Sequence, residues 1–138
     1  MNQLFIPRPL ATRLLFEAQK RPQEEVCGLV GGLGHKLQTL YPTANVAADP
    51  DRRFEVDPQQ QIDALRCMRE AGEQLLAVYH SHPAAPPEPS ARDIAELGYP
   101  EAALLIISLN IKGVLEMRGW RCRDGDAREL RLVVMEDG

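Results

Sequence analysis

Two histidines and one aspartate offer the most specific chemistry in this 138-residue sequence. His80-Ser81-His82-Pro83 sets two imidazoles one residue apart, and after ten intervening residues Pro89-Ser90-Ala91-Arg92-Asp93 brings a carboxylate. Structural zinc sites normally close four protein ligands around the ion. Three nitrogen and oxygen donors instead leave the fourth position to a water, which the metal acidifies to near neutral pH. His80, His82 and Asp93 therefore make a catalytic ligand count. An ordinary polar strand end is the plain alternative. A two-histidine, one-carboxylate iron site uses similar donors, but its carboxylate usually stands between the histidines in sequence.

These residues need elements to hold them. Leu75 to Tyr79 is an apolar run suited to a central strand, and a period of two puts His80 and His82 at its carboxyl end on one face. The stretch from Pro83 to Pro89 excludes helix and central strand. Ser90 followed by Asp93 has the pattern of an N-cap with an acidic third position, which predicts a short helix ending at Gly98 with Asp93 in its first turn. A metal would then sit between strand end and helix start.

Ahead of these, Leu4-Phe5-Ile6 predicts a short edge strand. Pro9 opens a helix with Leu10, Leu14, Leu15 and Ala18 on one face, ended by Pro22. Val26 to Gly31, closed by Gly31-Gly32 and Gly34, forms a hairpin with Lys36 to Tyr41. Arg52 to Val56 reads as another strand, and Pro58 starts a helix with Ile62, Leu65 and Met68 at helical spacing that ends at Gly72. Ala102 to Leu109, Gly113 to Trp120 and Glu129 to Met135 are the final strands, the last two joined through the turn Asp124-Gly125. The class is α+β, a mainly antiparallel or mixed β-sheet flanked by helices.

With 44% hydrophobic residues the chain can bury one core with little left for a second, so residues 1–138 read as a single domain. The formal charge of -4 comes from 16 basic and 20 acidic residues in no long block. That leaves no electrostatic footprint for a nucleic acid or an anionic membrane. The three cysteines, Cys27, Cys67 and Cys122, lack C-x-x-C pairing, which points to reduced thiols rather than a disulfide framework or thiolate zinc site. No apolar run reaches membrane-spanning length and the start has no uninterrupted apolar stretch, so a soluble, cytoplasmic protein is expected. Cys27 reads as a small core residue, His35 as a surface turn residue, and Tyr99 and Trp120 as packing aromatics.

His80-Ser81-His82-Pro83 with Pro89-Ser90-Ala91-Arg92-Asp93 resembles the signature of the JAMM, or MPN+, zinc metalloproteases. In that family a glutamate precedes His-x-His, ten residues and an aspartate. Glu25-Val26-Cys27-Gly28-Leu29-Val30-Gly31-Gly32 is similar to the glutamate-bearing strand, and Asn45 and Arg53-Phe54-Glu55-Val56-Asp57-Pro58 also match family positions. The resemblance implies an MPN-like fold with cytidine-deaminase-like layering and one Zn2+ per chain on His80, His82 and Asp93. It implies Glu25 as the base that takes a proton from the activated water, with Glu24 exposed beside it. Ser90 would be a hydrogen-bond donor to the developing oxyanion; as an N-cap alone it would have the commoner job of such a serine.

The implied activity is hydrolysis of a peptide or isopeptide bond after the C-terminal Gly-Gly of a ubiquitin-like or sulfur-carrier protein, whose extended tail pairs with a strand edge. Small prokaryotic members of this kind serve cysteine, thio-cofactor or siderophore synthesis. Linkage-selective deubiquitination is not implied, because few residues separate the matched segments. The alternatives are a metal-free MPN-type scaffold and a zinc peptidase of broader specificity.

Overall fold

Alternating apolar positions and two amphipathic helices set the element order. The computed structural model describes residues 2–96, 98–99, 101–111 and 114–136. It contains β1 (Gln3–Pro7), α1 (Arg8–Gln19), β2 (Cys27–Leu33), β3 (Lys36–Thr43), α2 (Pro58–Ala71), β4 (Gln74–His82), α3 (Ala91–Glu96), β5 (Ala103–Ile111), β6 (Val114–Arg123) and β7 (Asp126–Met135). The class is α+β, as expected. The sheet is mixed: β1 runs parallel to β3 and β7, and β4 parallel to β5, while the other pairs are antiparallel.

The strand order β1-β3-β2-β4-β5-β6-β7 closes into a barrel. Closure corrects one expectation, because β1 is not an edge strand. It registers with β7 from Gln3 to Pro7 and with β3 at Phe5, whose N–H donates to the His35 carbonyl at 2.8 Å. Backbone groups of β1 that an edge would leave bare are thereby paired along β7 and, at Phe5, toward β3.

Alternation gives the sheet two faces. Ala77 and Tyr79 of β4 and Val30 of β2 join Leu4, Ile6 and the α1 residues Leu10, Leu14 and Ala18 in the main core. Leu29 and Val78 face the other way, beneath Ala64 and Met68 of α2. On that same outer side Leu104 and Ile106 of β5 meet Ile94 of α3. One helix thus seals the inner face, and two cover the outer face at which the histidine-bearing strand ends.

The local signals were legible where backbone chemistry decides. Asp57 caps α2 by accepting from Gln59 and Gln60 N–H, Pro58 follows it, and Gly72 ends the helix at φ 74°. Asp124 and Gly125 have φ 54° and 77°, the pair of positive values that a two-residue type I′ hairpin needs. Gly31-Gly32 does not close β2; the strand runs through both glycines with a register shift and turns at Gly34. Gly113 lies outside the described residues, as does Leu97, which separates Glu96, the last described residue of α3, from Gly98.

Two further expectations fail. Arg52 to Val56 is not a strand and contributes only an isolated bridge, Asn45 to Val56. The Asn45 side chain accepts from Ala47 and Glu55 N–H and donates to the Arg53 carbonyl, so this segment satisfies its backbone without a ladder. Ile62 is 58% exposed. The buried stripe of α2 centres on Ala64 and Met68, and Ile62 sits roughly 160° around the helix from Ala64.

Gly28 lies opposite Tyr79 across the β2–β4 pair, and a Cβ there would come within 2.6 Å of both the Tyr41 carbonyl and the Tyr79 ring. Gly28→Ala should therefore cost about 1–3 kcal/mol in urea unfolding. Gly98→Ala, whose added Cβ meets nothing within 4 Å, should stay within about 0.5 kcal/mol of the parent.

Candidate metal centre

Strand β4 supplies two donors and helix α3 the third. His80 and His82 share the outer face of β4, and the three donor atoms converge: His80 Nε2 and His82 Nε2 are 3.0 Å apart, and each lies 3.2 Å from Asp93 Oδ2. Donors about 2.0–2.1 Å from one tetrahedral ion would be separated by about 3.3–3.4 Å, so the triangle needs only a slight expansion to fit. His80, His82 and Asp93 form a group that can hold a metal ion.

The surroundings orient each donor. His82 Nδ1 is 2.8 Å from the Pro86 carbonyl, an arrangement that turns Nε2 toward the site. The His80 ring is fully buried and stacks on Phe54 at 4.4 Å between centroids, while its Nδ1 has no hydrogen-bond partner. Ser90 and Asp93 form a reciprocal capping box: Asp93 N–H donates to Ser90 Oγ at 3.0 Å, and Ser90 N–H donates to Asp93 Oδ2 at 2.9 Å. The cap thus aims the same carboxylate oxygen that faces the histidines.

The charge states of the three donors differ. Burial lowers the His80 pKa against the opposing pull of Asp93, favouring the neutral, donating imidazole. For His82, burial is outweighed by hydrogen bonds to Asp93 and the Pro86 carbonyl, and its pKa rises. Burial would raise the Asp93 carboxyl, but hydrogen bonds from His80, His82 and the Ser90 amide hold it well below the usual carboxylate range.

Glu25 stands just ahead of β2. Cys27 pairs with His80, and Ser81 N–H donates to the Val26 carbonyl, so β2 and β4 bring the chain to the end of the ladder just before Glu25. Glu24 is half-exposed, 3.8 Å from Arg21. Glu25 is buried, its Oε1 has no hydrogen-bond partner, and its carboxyl is coupled to the charges of His82 and Asp93. Burial is the main cause that pushes its pKa up to about 7, with His82 opposing.

The structure also brings in residues to which sequence reasoning assigned no site role. Three successive carbonyls of the proline-rich loop are engaged, Ala85 by Ser108 Oγ, Pro86 by His82 and Pro87 by Trp120 Nε1. A loop poor in N–H groups is rich in unpaired carbonyls, which was the only signal available for these contacts. Phe54 lay in a matched segment, but its stacking on His80 depends on tertiary packing. Cys27 is buried with its thiol against Thr43 and the Ala44 carbonyl, and burial pushes its pKa up to about 11. That makes it a packed thiol rather than a nucleophile.

Two concavities flank the centre. One of 350 Å³ is lined by Leu29, Phe54, Val56, Arg92, Asp93 and Tyr99; the other, of 260 Å³, reaches Glu25, Cys27 and Asn45. The larger depression of 1040 Å³ lies at the opposite end of β4, around Gln74, Arg121 and Arg128, and touches none of the metal-site residues.

This barrel and its outer-face cluster define a protein of the JAB1/MPN fold. The fold superposes on a structure from Desulfitobacterium hafniense with a TM-score of 0.87 at 29% identity, covering 98% of this chain and 94% of that one. It also matches a structure described as a JAMM metalloprotease-like zinc site in the proteasome and signalosome. There the TM-score is 0.58 at 17% identity, covering 95% and 98% of the two chains, a likeness of fold alone.

Residues 7–123 match the family model described as prokaryotic homologs of the JAB domain, and the chain belongs to that family. A desampylase of Haloferax volcanii is 36% identical over 116 residues, 82% of this chain and 80% of that protein. The CysO-cysteine peptidase of Mycobacterium tuberculosis is 27% identical over 135 residues, 96% and 92% of the two chains.

The raised Glu25 pKa has a consequence for stability. Between the unfolded value of 4.5 and the folded value of about 7 the native state keeps a proton that the unfolded chain releases, so stability falls as pH rises through that window. Glu25→Gln removes this loss. In chelator-treated protein its gain in unfolding free energy should be near zero at pH 4.5 and approach about 3 kcal/mol at pH 8. An unchanged pH dependence in urea titrations would show that Glu25 is not desolvated in the native state.

Proposed function

We propose that this chain is a single-domain, cytoplasmic, zinc-dependent metallopeptidase of the JAMM type, cutting a peptide or isopeptide bond after the C-terminal Gly-Gly of a ubiquitin-like or sulfur-carrier protein. The observation that carries the reading is the convergence of His80, His82 and Asp93 within 3.0–3.2 Å, with a buried Glu25 coupled to them whose Oε1 has no hydrogen-bond partner. Bound there, zinc would supply a Lewis acid and lower the pKa of a water to about 7.

The remaining work falls to the chain. His80, His82 and Asp93 hold the ion. Glu25, standing off from it, accepts the proton of the attacking water and returns it to the leaving amine. A carboxyl tuned near neutrality is suited to both halves of that transfer. Ser90 Oγ, at the exposed lip of the capping box, donates to the oxygen on which charge develops.

The names of the two relatives support the substrate class. Glycines at the scissile end let a backbone approach a centre crowded by Phe54, Asp93 and the proline-rich loop. A scaffold role is disfavoured because the whole donor set is in place. Among the described residues no helix is long and apolar enough to cross a membrane.

Zinc reconstitution should give about one ion per chain by elemental analysis and raise the melting temperature; a hundredfold excess over the dissociation constant corresponds to about 2.7 kcal/mol. The His80→Ala, His82→Ala double variant should bind none. Full zinc retention in that variant would remove the site from consideration.

Hydrolysis is tested on a ubiquitin-like protein whose tail continues beyond Gly-Gly, with release followed by mass spectrometry. Glu25→Gln should keep zinc and lose turnover, Glu24→Gln should be nearly silent, and Ser90→Ala should fall on the order of a hundredfold. Replacing the last glycine of the tail by valine should abolish cleavage; indifference to it would leave only a zinc peptidase of broad specificity.

A further inference from the structure

Glu25 lies outside the strand ladder, since β2 begins at Cys27, and no hydrogen bond reaches its Oε1. A side chain with several rotatable bonds gains no fixed aim from an oxygen that makes no hydrogen bond. Its aim depends on the backbone that carries it, and that backbone is tied down on every side. Glu25 N–H donates to the Pro50 carbonyl at 2.7 Å, and the Glu25 carbonyl accepts from Asn45 Nδ2 at 2.8 Å.

Ser81 grips both neighbours. Val26 N–H donates to Ser81 Oγ at 2.9 Å, the Val26 carbonyl accepts Ser81 N–H at 3.0 Å, and Ser81 Oγ donates to the Glu24 carbonyl at 3.5 Å. In a regular antiparallel pair Val26 N–H would donate to the Ser81 carbonyl. Here the hydroxyl takes the carbonyl's place and lets the chain leave the ladder at Glu25. Ser81 is fully buried, and alternation turns it away from the metal face, so it touches neither metal nor substrate.

We propose that Ser81, together with Asn45, is a positioning residue for Glu25. The residue between the two metal-binding histidines holds the backbone of the proton acceptor, so three consecutive residues of β4 set both the ion and the base. This rests on the reading of Glu25 as the base.

Two variants separate the clamp from the fold. Ser81→Ala removes the hydroxyl. Asn45→Asp keeps Oδ1 as acceptor for the Ala47 and Glu55 amides and removes the donor to the Glu25 and Arg53 carbonyls. In chelator-treated protein, amide hydrogen exchange followed by NMR should rise at least about tenfold at Glu25 and Val26 in both variants, with Leu29 and Val30 within about twofold of wild type. With zinc loaded, both should keep about one ion per chain and lose about ten- to hundredfold in kcat with KM within about twofold, as expected when a reacting group is misplaced by a fraction of its length. Ser81→Thr, which retains the hydroxyl, should recover kcat to within about threefold.

Unchanged exchange at Glu25 and Val26, or wild-type kcat in both variants, overturns the proposal. So does a uniform rise in exchange along β2 accompanied by loss of zinc, which is general loosening. An active Glu25→Gln enzyme would instead defeat the reading of Glu25 as the base, whatever the exchange measurements give.

Discussion

Strand β4 is hydrogen-bonded along both sides, antiparallel to β2 and parallel to β5, and the geometry of the candidate metal centre depends on that double pairing. A strand pinned on both sides cannot slip in register, because a one-residue slip would exchange Val78 and His80 with Ala77, Tyr79 and Ser81 between the two faces. Each face is filled by different helices, so the slip would empty both cores at once. Two imidazoles are thus held on one side of a rigid element, and only Asp93 must be delivered from elsewhere. A six-residue helix with a reciprocal cap suffices for that.

Such a site is costly to fold around. Glu25, His80, Ser81, His82 and Ser108 are all buried polar groups, and Glu25 Oε1 and His80 Nδ1 are left without partners. Unpartnered buried atoms are uncommon because each loses its hydration without compensation. Two of the three such atoms among the described residues, Glu25 Oε1 and His80 Nδ1, belong to the candidate metal centre, while the third, Arg121 Nε, lies toward the other end of β4. The two charges that would conflict most, Glu25 and Asp93, respond in opposite senses. Asp93 is surrounded by donors and stays ionised; Glu25 is not, and titrates near neutrality. Two carboxyls with separated proton affinities are what the proposed roles of Asp93 as ligand and Glu25 as proton carrier require.

The loop between β4 and α3 obeys a related constraint. Prolines remove N–H groups and leave carbonyls, and Ser108, His82 and Trp120 engage three of these in succession. Held in this way, the loop can lead from the strand end to the capping box without secondary structure of its own and still deliver Asp93. On the opposite flank Asn45 does similar work for residues 45–55, and the same segment brings Phe54 onto His80.

Much of this was legible in the sequence because it depends on short-range chemistry. Proline and glycine positions marked the ends of α2 and the β6–β7 turn, strand parity put His80 and His82 on one face, and the spacing of Ser90 and Asp93 encoded the capping box. Other features needed contacts between distant segments. That β1 closes a barrel instead of forming an edge depends on β7, more than a hundred residues away in sequence. That 52–56 is not a strand depends on one asparagine side chain replacing a ladder, and that Ile62 is exposed depends on which stripe of α2 the sheet accepts. The choice between Glu24 and Glu25 is made by the fold: adjacent residues of like charge are equivalent in composition, and only tertiary packing next to the β2–β4 pair buries Glu25 while leaving Glu24 half-exposed beside Arg21.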